Sequence, residues 1–339
     1  MRLLYTGDYS RFCLVLFVGL WFLTGCGLSN YIDETGNVKR DDLNVPATQY
    51  RSVAWLNNDQ IALAYKDPNV REGETRIALY QLESQELEDI ILPNHPDHCF
   101  PAPSYIGFLQ RLPNDKLGYT YFCKELVGGQ SGVLYTWDEA SGESQILQEY
   151  SGFLIGSYTL SPDMSELIQG NAVGAGLSNE LYRFQLGGEG KQIFSNFQRV
   201  AQPSWSSDGK TIIFAGTEST PYDSPTTSRD IENLLFSPWT IYAMDADGSQ
   251  IQEILAGISY PGTLRWSPNG KWIAFSATYE NKRGIWLLEV DTETVKLVSE
   301  RYGPFDWSPN SKQLIVLERE ESDDPLSYLS FPVIISIEP

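Results

Sequence analysis

The sequence predicts an all-β protein, a six-bladed β-propeller built from four-stranded antiparallel sheets. The first observation is a repeat: PSWSSDGKTIIF at 203–214 returns with changes as TLRWSPNGKWIAF at 263–275 and as PFDWSPNSKQLIV at 304–316. The second is that each copy has a tryptophan, a polar turn and then an apolar run rich in β-branched and aromatic residues, which is typical of a strand in a sheet. The third is that the chain shows no long helical period of apolar residues.

The polar turn of each copy predicts a tight hairpin. The turns carry an Asp-Gly, an Asn-Gly and an Asn-Ser pair, at 208–209, 269–270 and 310–311. Residues of these types tolerate the positive φ that a tight hairpin needs. A single hairpin is marginally stable, whereas several copies at a regular spacing indicate a repeat architecture.

Three weaker copies, at 52–65, 106–122 and 158–170, extend the repeat toward the N-terminus. The anchor residues of the six copies are spaced by 53, 52, 45, 61 and 41 residues, and they are Trp55, Phe108, Leu160, Trp205, Trp266 and Trp307. Four-stranded propeller blades repeat at about 40–45 residues, and at more with loop insertions. Six copies therefore predict six blades, and we expect the tryptophans to pack between the blades.

The propeller is predicted to cover residues 49–339, with blades at 49–93, 101–149, 152–196, 198–256, 258–300 and 301–339. The last blade lacks an evident fourth strand. Residues 26–48 are polar and without a period, which predicts a tether. Alternatively, residues 36–44 within this segment form the outer strand of the last blade and close the ring. The sequence leaves both alternatives open.

The repeat resembles that of a known family. PSWSSDGKTIIFAGT at 203–217, followed by IYAMDADGSQIQEIL at 241–255, is similar to the TolB-type propeller repeat, which is related to but distinct from the WD-dipeptide repeat. The resemblance extends over 263–298 and, less closely, over 304–318. TolB carries a separate α/β domain ahead of its propeller, and nothing in this sequence resembles that domain. The resemblance implies a fold rather than a role, since propellers host many unrelated functions.

Residues 1–25 are predicted to be a signal peptide. Arg2 and Arg11 give a positive start, and the apolar run at 12–23 has 12 residues, whereas a spanning helix needs about 20. The run ends in Leu-Thr-Gly-Cys, which resembles the bacterial lipoprotein box, with Cys26 as the lipidated first residue of the mature chain. The alternative is an ordinary secretory signal with a chance cysteine. The favoured prediction is an exported protein anchored by lipid on the periplasmic or extracellular face of a membrane.

The charge balance excludes one class of partner. The chain has 24 Lys and Arg against 44 Asp and Glu, a formal net charge of −20. Such a balance repels phosphate backbones and anionic head groups, so nucleic-acid binding is not expected. Attachment to a membrane would have to come from the lipid rather than from basic side chains.

The longest insertion, at 217–239, is the predicted partner-binding segment. A loop of this length inside a compact domain is typically functional or disordered, and aromatic residues are frequent interface anchors. A self-packed cap over the channel is the alternative. The candidate contact residues are Tyr222, Asp223, Leu234, Phe236 and Trp239.

Two cysteines form a candidate disulfide. With Cys13 and Cys26 assigned to the signal and the anchor, Cys99 and Cys123 are the remaining pair in a chain predicted to be exported. Disulfides persist in such compartments. The bridge would tie the entry of blade two to its second strand.

No catalytic constellation, metal or cofactor is predicted. The segment NHPDHC at 94–99 is too compact for its side chains to surround one ion, and GGQSGV at 128–133 does not fit the Gly-x-Ser-x-Gly nucleophile motif. If the channel held an enzyme built on acidic residues, with or without a metal ion, Asp306 would be a candidate residue.

We therefore expect a non-catalytic binding or scaffold module at the cell envelope, whose partner is an envelope protein, a peptide or a glycan. A propeller-channel hydrolase or lactonase-like enzyme is the first alternative. A structural subunit of an envelope complex is the second.

Overall fold

Six four-stranded antiparallel sheets follow one another along the chain, as the repeat predicts. The computed structural model of the protein describes residues 38–46, 48–67, 75–92, 105–124, 130–150, 155–171, 180–188, 190–194, 197, 199–218, 236–319 and 329–337. In chain order the strands are β1 (Val38–Asp42), β2 (Gln49–Trp55), β3 (Gln60–Lys66), β4 (Thr75–Gln81), β5 (Leu87–Asp89), β6 (Tyr105–Leu112), β7 (Lys116–Lys124), β8 (Gln130–Asp138), β9 (Glu143–Tyr150), β10 (Ile155–Leu160), β11 (Glu166–Asn171), β12 (Leu181–Gln185), β13 (Gly190–Phe194), β14 (Arg199–Trp205), β15 (Thr211–Thr217), β16 (Trp239–Asp245), β17 (Gln252–Ile258), β18 (Leu264–Trp266), β19 (Trp272–Tyr279), β20 (Lys282–Glu289), β21 (Thr294–Ser299), β22 (Phe305–Trp307), β23 (Gln313–Arg319) and β24 (Ser330–Ile337). The all-β class and the six-bladed propeller are confirmed.

Each blade is a simple meander. Blade one is β2–β5, blade two β6–β9, blade three β10–β13, blade four β14–β17 and blade five β18–β21. Blade six has the order β22-β23-β24-β1. The first strands of neighbouring blades contact one another in the pairs β2 and β6, β10 and β14, β14 and β18, and β22 and β2, so the first strands are the inner strands around the channel.

The N-terminal strand β1 completes blade six. It pairs antiparallel with β24, from Val38 opposite Ile337 to Asp42 opposite Val333. The sequence left open whether this segment is a tether or the outer strand of the last blade, and in the structure it is the outer strand. β24 is paired on both sides, by β23 and by β1. A paired strand presents no open edge to other chains.

Buried apolar clusters lie between neighbouring blades. On β23, Leu314 and Val316 belong to the cluster shared with blade five, whereas Ile315 and Leu317 belong to the cluster shared with blade one. Similar clusters join blades one and two, two and three, three and four, and four and five. Because successive side chains of a strand point to opposite faces, a strand buried on both faces has a continuous apolar run.

The tryptophans at the ends of the inner strands belong to these clusters, as predicted. Trp55, Trp205 and Trp307 are buried, and each packs in the cluster that joins its own blade to the preceding one. Trp266 is half-buried and packs against the cluster between blades four and five. The repeated tryptophan is thus a residue of the inter-blade core.

A serine organises the hairpin that follows the inner strand. In blade five, Ser267 Oγ accepts a hydrogen bond from the Trp272 N–H at 2.9 Å and donates one to Asn269 Oδ1 at 2.7 Å. The same arrangement, with Asp or Asn as the acceptor, begins at Ser161, Ser206 and Ser308. The positive φ predicted for these turns occurs at Gly209, Gly270 and Ser311.

Blade two departs from the predicted alignment by three residues. Arg111 is paired with Leu117, at the position where Trp266 is paired with Ile273 in blade five. Phe108, the predicted anchor, lies in a β-bulge with φ of 51° and is 36% exposed. The prediction of Phe108 as the anchor is wrong, because the bulge displaces its side chain from the position that the tryptophans hold elsewhere.

An ion pair with a buried carboxylate reinforces the closing strand. Arg40 of β1 donates hydrogen bonds from Nη1 and Nη2 to the two carboxylate oxygens of Glu318 in β23, both at 2.6 Å. The Glu318 side chain is fully buried, and Arg301 Nη1 adds a bond at 3.1 Å. Because β24 lies between β1 and β23, this bidentate pair reaches across a strand and attaches β1 to the middle of blade six.

We predict that Arg40→Met lowers the free energy of unfolding by about 3 kcal/mol, because it leaves a buried carboxylate with a single cationic partner. Urea denaturation measures the change. Adding Glu318→Met should recover most of the loss, since no buried charge then remains.

Lys39→Met is the matched control, because Lys39 lies in the same strand but its side chain is 62% exposed and pairs with Asp41 at the surface. Its expected effect is below about 1 kcal/mol. Equal losses for the two substitutions would contradict the assignment of Arg40 to ring closure.

Candidate functional site

A cavity of about 280 Å³ opens at one end of the channel, where the inner strands finish and their hairpins begin. We call this side of the ring the hairpin face and the opposite side the loop face. The cavity is lined by the last residues of the inner strands of blades two to six and by the hairpins of blades two to five. The charged residues of its lining are Arg111, Arg265 and Asp306.

Asp306 links blade six to blade one. Its Oδ2 accepts a hydrogen bond from the Trp55 backbone N–H at 3.0 Å. In blade four the equivalent residue before the tryptophan is Ser204, whose Oγ accepts from the Trp266 N–H at 3.3 Å. A neutral hydroxyl therefore suffices for this inter-blade link. The negative charge of Asp306 is additional to its structural role.

Burial raises the pKa of Asp306 from its ordinary value of 3.8 to about 6. The guanidinium groups of Arg265 and Arg111 and the backbone N–H groups of Trp55 and Trp307 oppose this rise without cancelling it. The folded protein therefore holds the Asp306 proton more tightly than the unfolded chain does. The protonated carboxyl group adds to the free energy of unfolding, and this contribution is complete below a pH of about 4. It is lost as the pH rises through about 6.

Arg265 is partly buried beside Asp306, and desolvation lowers the pKa of its guanidinium while the charge of Asp306 opposes that shift. Its Nη1 donates a hydrogen bond to the Leu264 carbonyl at 3.0 Å. Among the residues that the structure describes, neither Arg265 nor Arg111 forms a salt bridge with Asp306 within 4.0 Å. The guanidinium groups of these two lining residues are thus not ion-paired with the carboxylate beside them.

Tyr158 supports the wall of the channel close to Arg265. Its hydroxyl donates to the Phe108 carbonyl at 3.0 Å and accepts from Thr120 Oγ1 at 3.0 Å. Burial raises the pKa of this phenol to about 12. Tyr158 therefore stays neutral at physiological pH and fixes the bulge at Phe108 to blade three.

The cavity can bind polar groups and exchange a proton. With Asp306 ionised its lining carries a formal charge of +1, in a chain whose net charge is −20. A carboxyl group that titrates near a pH of 6 is also suited to acid or base chemistry. Within the described ranges, no group of three or more His, Cys, Asp and Glu side chains is arranged to hold a metal ion.

Several predicted site residues lie outside the described residues. They are Cys26, Cys99, Tyr222, Asp223 and Leu234. Lipidation at Cys26 and the Cys99–Cys123 bridge remain predictions; the backbone of Cys123 lies in β7, as expected for the second strand of blade two. Within the described ranges, no helix has the length and apolar character needed to span a bilayer.

The structure assigns Trp239 to the core. It begins β16, its side chain is fully buried, and it packs in the cluster between blades four and five. The expectation that Trp239 contacts a partner is therefore corrected, because a buried indole is not available at the surface.

Phe236 belongs to an exposed aromatic patch on the loop face. It is 59% exposed and packs edge-on against Tyr260, with ring centroids 4.4 Å apart. The Arg283 guanidinium lies 5.4 Å from the Tyr260 ring centroid and 4.3 Å from that of Tyr302. Aromatic and arginine side chains are enriched at interfaces, so a partner contact at Phe236 stays a prediction.

Sequence reasoning named Asp306 but missed Arg111 and Arg265. The signal for Arg265 was present, since it precedes Trp266 as Asp306 precedes Trp307 and Ser204 precedes Trp205. In blades four, five and six the residue before the tryptophan lines the cavity. Arg111 carried no such signal, because its blade lacks the tryptophan and contains a bulge.

Comparisons with known proteins support the fold. No family model matches the chain. An uncharacterised protein of Agrobacterium fabrum is 27% identical over 107 residues, a stretch that covers 31% of this chain and 30% of that protein.

Three solved structures are similar at low sequence identity. TolB from Acinetobacter baumannii has a TM-score of 0.57 at 16% identity, covering 81% of this chain, which spans only 63% of the TolB chain. An oligogalacturonate lyase in complex with manganese has a TM-score of 0.60 at 12% identity, and the match covers 92% of this chain and 96% of the lyase. A gluconolactonase from Xanthomonas campestris has a TM-score of 0.51 at 12% identity, and the match covers 89% of this chain and 90% of the gluconolactonase. The chain therefore has a TolB-like propeller fold, one that lyases and lactonases share.

Proposed function

We propose that the protein is an exported, lipid-anchored binding module of the cell envelope that takes its ligand at the hairpin-face mouth of the channel. The cavity lined by five blades, with Arg111, Arg265 and Asp306 converging in it, carries this proposal. Binding sites are typically concave and contain a few convergent polar groups. The signal and lipoprotein box at 1–26 support the location.

The size of the cavity indicates the kind of ligand. Sites that enclose a whole small molecule usually measure about 300–1,000 Å³, and this cavity has about 280 Å³. It is suited to a small group or to the tip of a larger partner that rests on the surrounding hairpins. A peptide, glycan or envelope protein presenting such a group fits the proposal.

A channel enzyme is the second candidate, and Asp306 favours it. Its pKa of about 6 suits a general acid or base near neutral pH, and the lyase and lactonase propellers show that the fold supports catalysis. An enzyme predicts turnover that disappears in Asp306→Asn, whereas a binding module predicts saturable binding without turnover.

The anchoring part of the proposal predicts that Cys26→Ser loses acylation and is recovered in soluble or uncleaved form. The substituted hydroxyl cannot receive the thioether-linked lipid, and the remaining acidic chain has no charge attraction to anionic head groups. Membrane fractionation with mass spectrometry measures both changes. A Cys26→Ser protein that is still acylated and membrane-bound would refute lipidation at this residue.

The binding part predicts a specific photo-crosslink in intact cells from Ser207, an exposed residue at the rim of the cavity. The adduct should have a defined mass and should saturate with expression level. Asp291, exposed in the turn between β20 and β21, is the control and should give none. Adducts from Phe236 but not from Ser207 would move the site to the loop face and contradict the proposal.

A further inference from the structure

We propose that the cavity binds an anionic group of its ligand, a carboxylate or a phosphate, between the guanidinium groups of Arg265 and Arg111, with Asp306 as the internal competitor. The inference rests on the proposed function for its location at the hairpin-face mouth. It adds the chemical class of the group that is recognised and a dependence of binding on pH.

The distribution of charge is the first argument. The chain as a whole carries a formal charge of −20 and repels anions. The cavity lining reverses this sign, because two arginines and one aspartate are its charged residues. Partly buried arginines at the mouth of a channel raise the local positive potential in a chain whose net charge is negative.

The unfilled hydrogen-bonding capacity of the arginines is the second argument. A guanidinium has five N–H donors in a planar fork that fits two oxygens of a carboxylate or phosphate. Arg265 uses one of these donors on the Leu264 carbonyl. In the part of the chain that the structure describes, neither arginine is salt-bridged to Asp306. Donors therefore remain for an incoming anion.

The choice of aspartate at position 306 is the third argument. Ser204 shows that a hydroxyl can hold the backbone N–H of the next blade, so the carboxylate is not required for packing. Its negative charge lies in the field of Arg265 from β18 and of Arg111 from β6, and its oxygens face the N–H groups of Trp55 and Trp307. An ionised Asp306 partly neutralises the arginines and repels a second anion.

Protonation of Asp306 removes that repulsion. Its pKa lies near 6, so it is largely ionised at a pH of about 7.5 and largely neutral at about 5. A ligand anion that enters the cavity should therefore be accompanied by uptake of a proton by Asp306. Affinity should rise as the pH falls through about 6, in the absence of any titration of the ligand itself.

The test is binding of two probe anions, trifluoroacetate and sulfate, to the full-length protein in detergent micelles. Both probes stay fully ionised over the range of interest, so any dependence on pH belongs to the protein. Fluorine NMR follows trifluoroacetate directly, and sulfate is followed by its displacement of trifluoroacetate and by calorimetry. Trifluoroacetate stands for a carboxylate ligand and sulfate for a phosphate ligand.

We expect saturable binding of at least one probe at the channel, about tenfold tighter at a pH of about 5 than at about 7.5. Arg265→Gln and Arg111→Gln should each weaken it by about tenfold or more. Asp306→Ser keeps an acceptor for the Trp55 N–H, as Ser204 does for Trp266. It should bind at a pH of about 7.5 as tightly as the unchanged protein does at about 5.

Arg283→Gln is the control, since Arg283 is exposed and outside the cavity; it should leave probe binding unchanged. Circular dichroism checks folding, and Arg111→Gln carries the test if Arg265→Gln does not fold. The preferred probe then distinguishes a carboxylate from a phosphate ligand.

Absence of saturable binding at a pH of about 5, or binding that survives both arginine substitutions, would overturn the inference. A Ser207 crosslink without probe binding would also overturn it while leaving the proposed function intact. Probe binding without any crosslink would support the anion site and count against the envelope binding module.

Discussion

Packing between neighbouring sheets holds the ring together, because the middle strands bury apolar side chains on both faces. β23 contributes alternate residues to two clusters, one shared with blade five and one with blade one. A single blade would leave both of these faces in water, so each sheet depends on its neighbours for burial. The last of these interfaces joins blade six to blade one. β1 supplies the outer strand of blade six, and the bidentate pair between Arg40 and Glu318 attaches that strand across β24.

The same arrangement creates the candidate site. Trp205, Trp266 and Trp307 pack in or against the clusters between blades, and the residue before each of them lines the cavity. Arg111, Arg265 and Asp306 come from blades two, five and six, and only closure of the ring brings them to one cavity. Asp306 shows how structure and chemistry combine, since one of its oxygens holds the N–H of blade one while its charge faces two arginines. A serine at position 306 could make the same hydrogen bond between blades, as Ser204 does. The carboxyl group of the aspartate adds a charge that titrates, and this is the basis of the pH dependence that we infer.

The repeat predicted the blades, their strands and the tryptophans of the core, because those features depend on local pattern and spacing. The closing strand could not be assigned from sequence. Four of its five residues, VKRDD, are charged, which is compatible with an exposed outer strand. A polar tether would have the same composition, so the two could not be distinguished. The partner of Arg40 lies 278 residues away, beyond the reach of local reasoning. Trp239 was misplaced because it ends a polar insertion, although it begins β16 and is buried. Arg111 could not be found because Phe108 was aligned with the tryptophans, whereas Phe108 lies in a bulge three residues before the equivalent position.

Native-state hydrogen–deuterium exchange of the β1 and β24 amides tests most directly whether the ring is closed by its N-terminal strand. Amides that open only with the surrounding blade exchange slowly, and amides of a loosely attached segment exchange at a rate close to that of a free peptide. Our account predicts that the hydrogen-bonded amides of β1 and β24 are protected as strongly as those of β23. Rapid exchange throughout β1, with blades one to five still protected, would contradict closure of the ring by this strand.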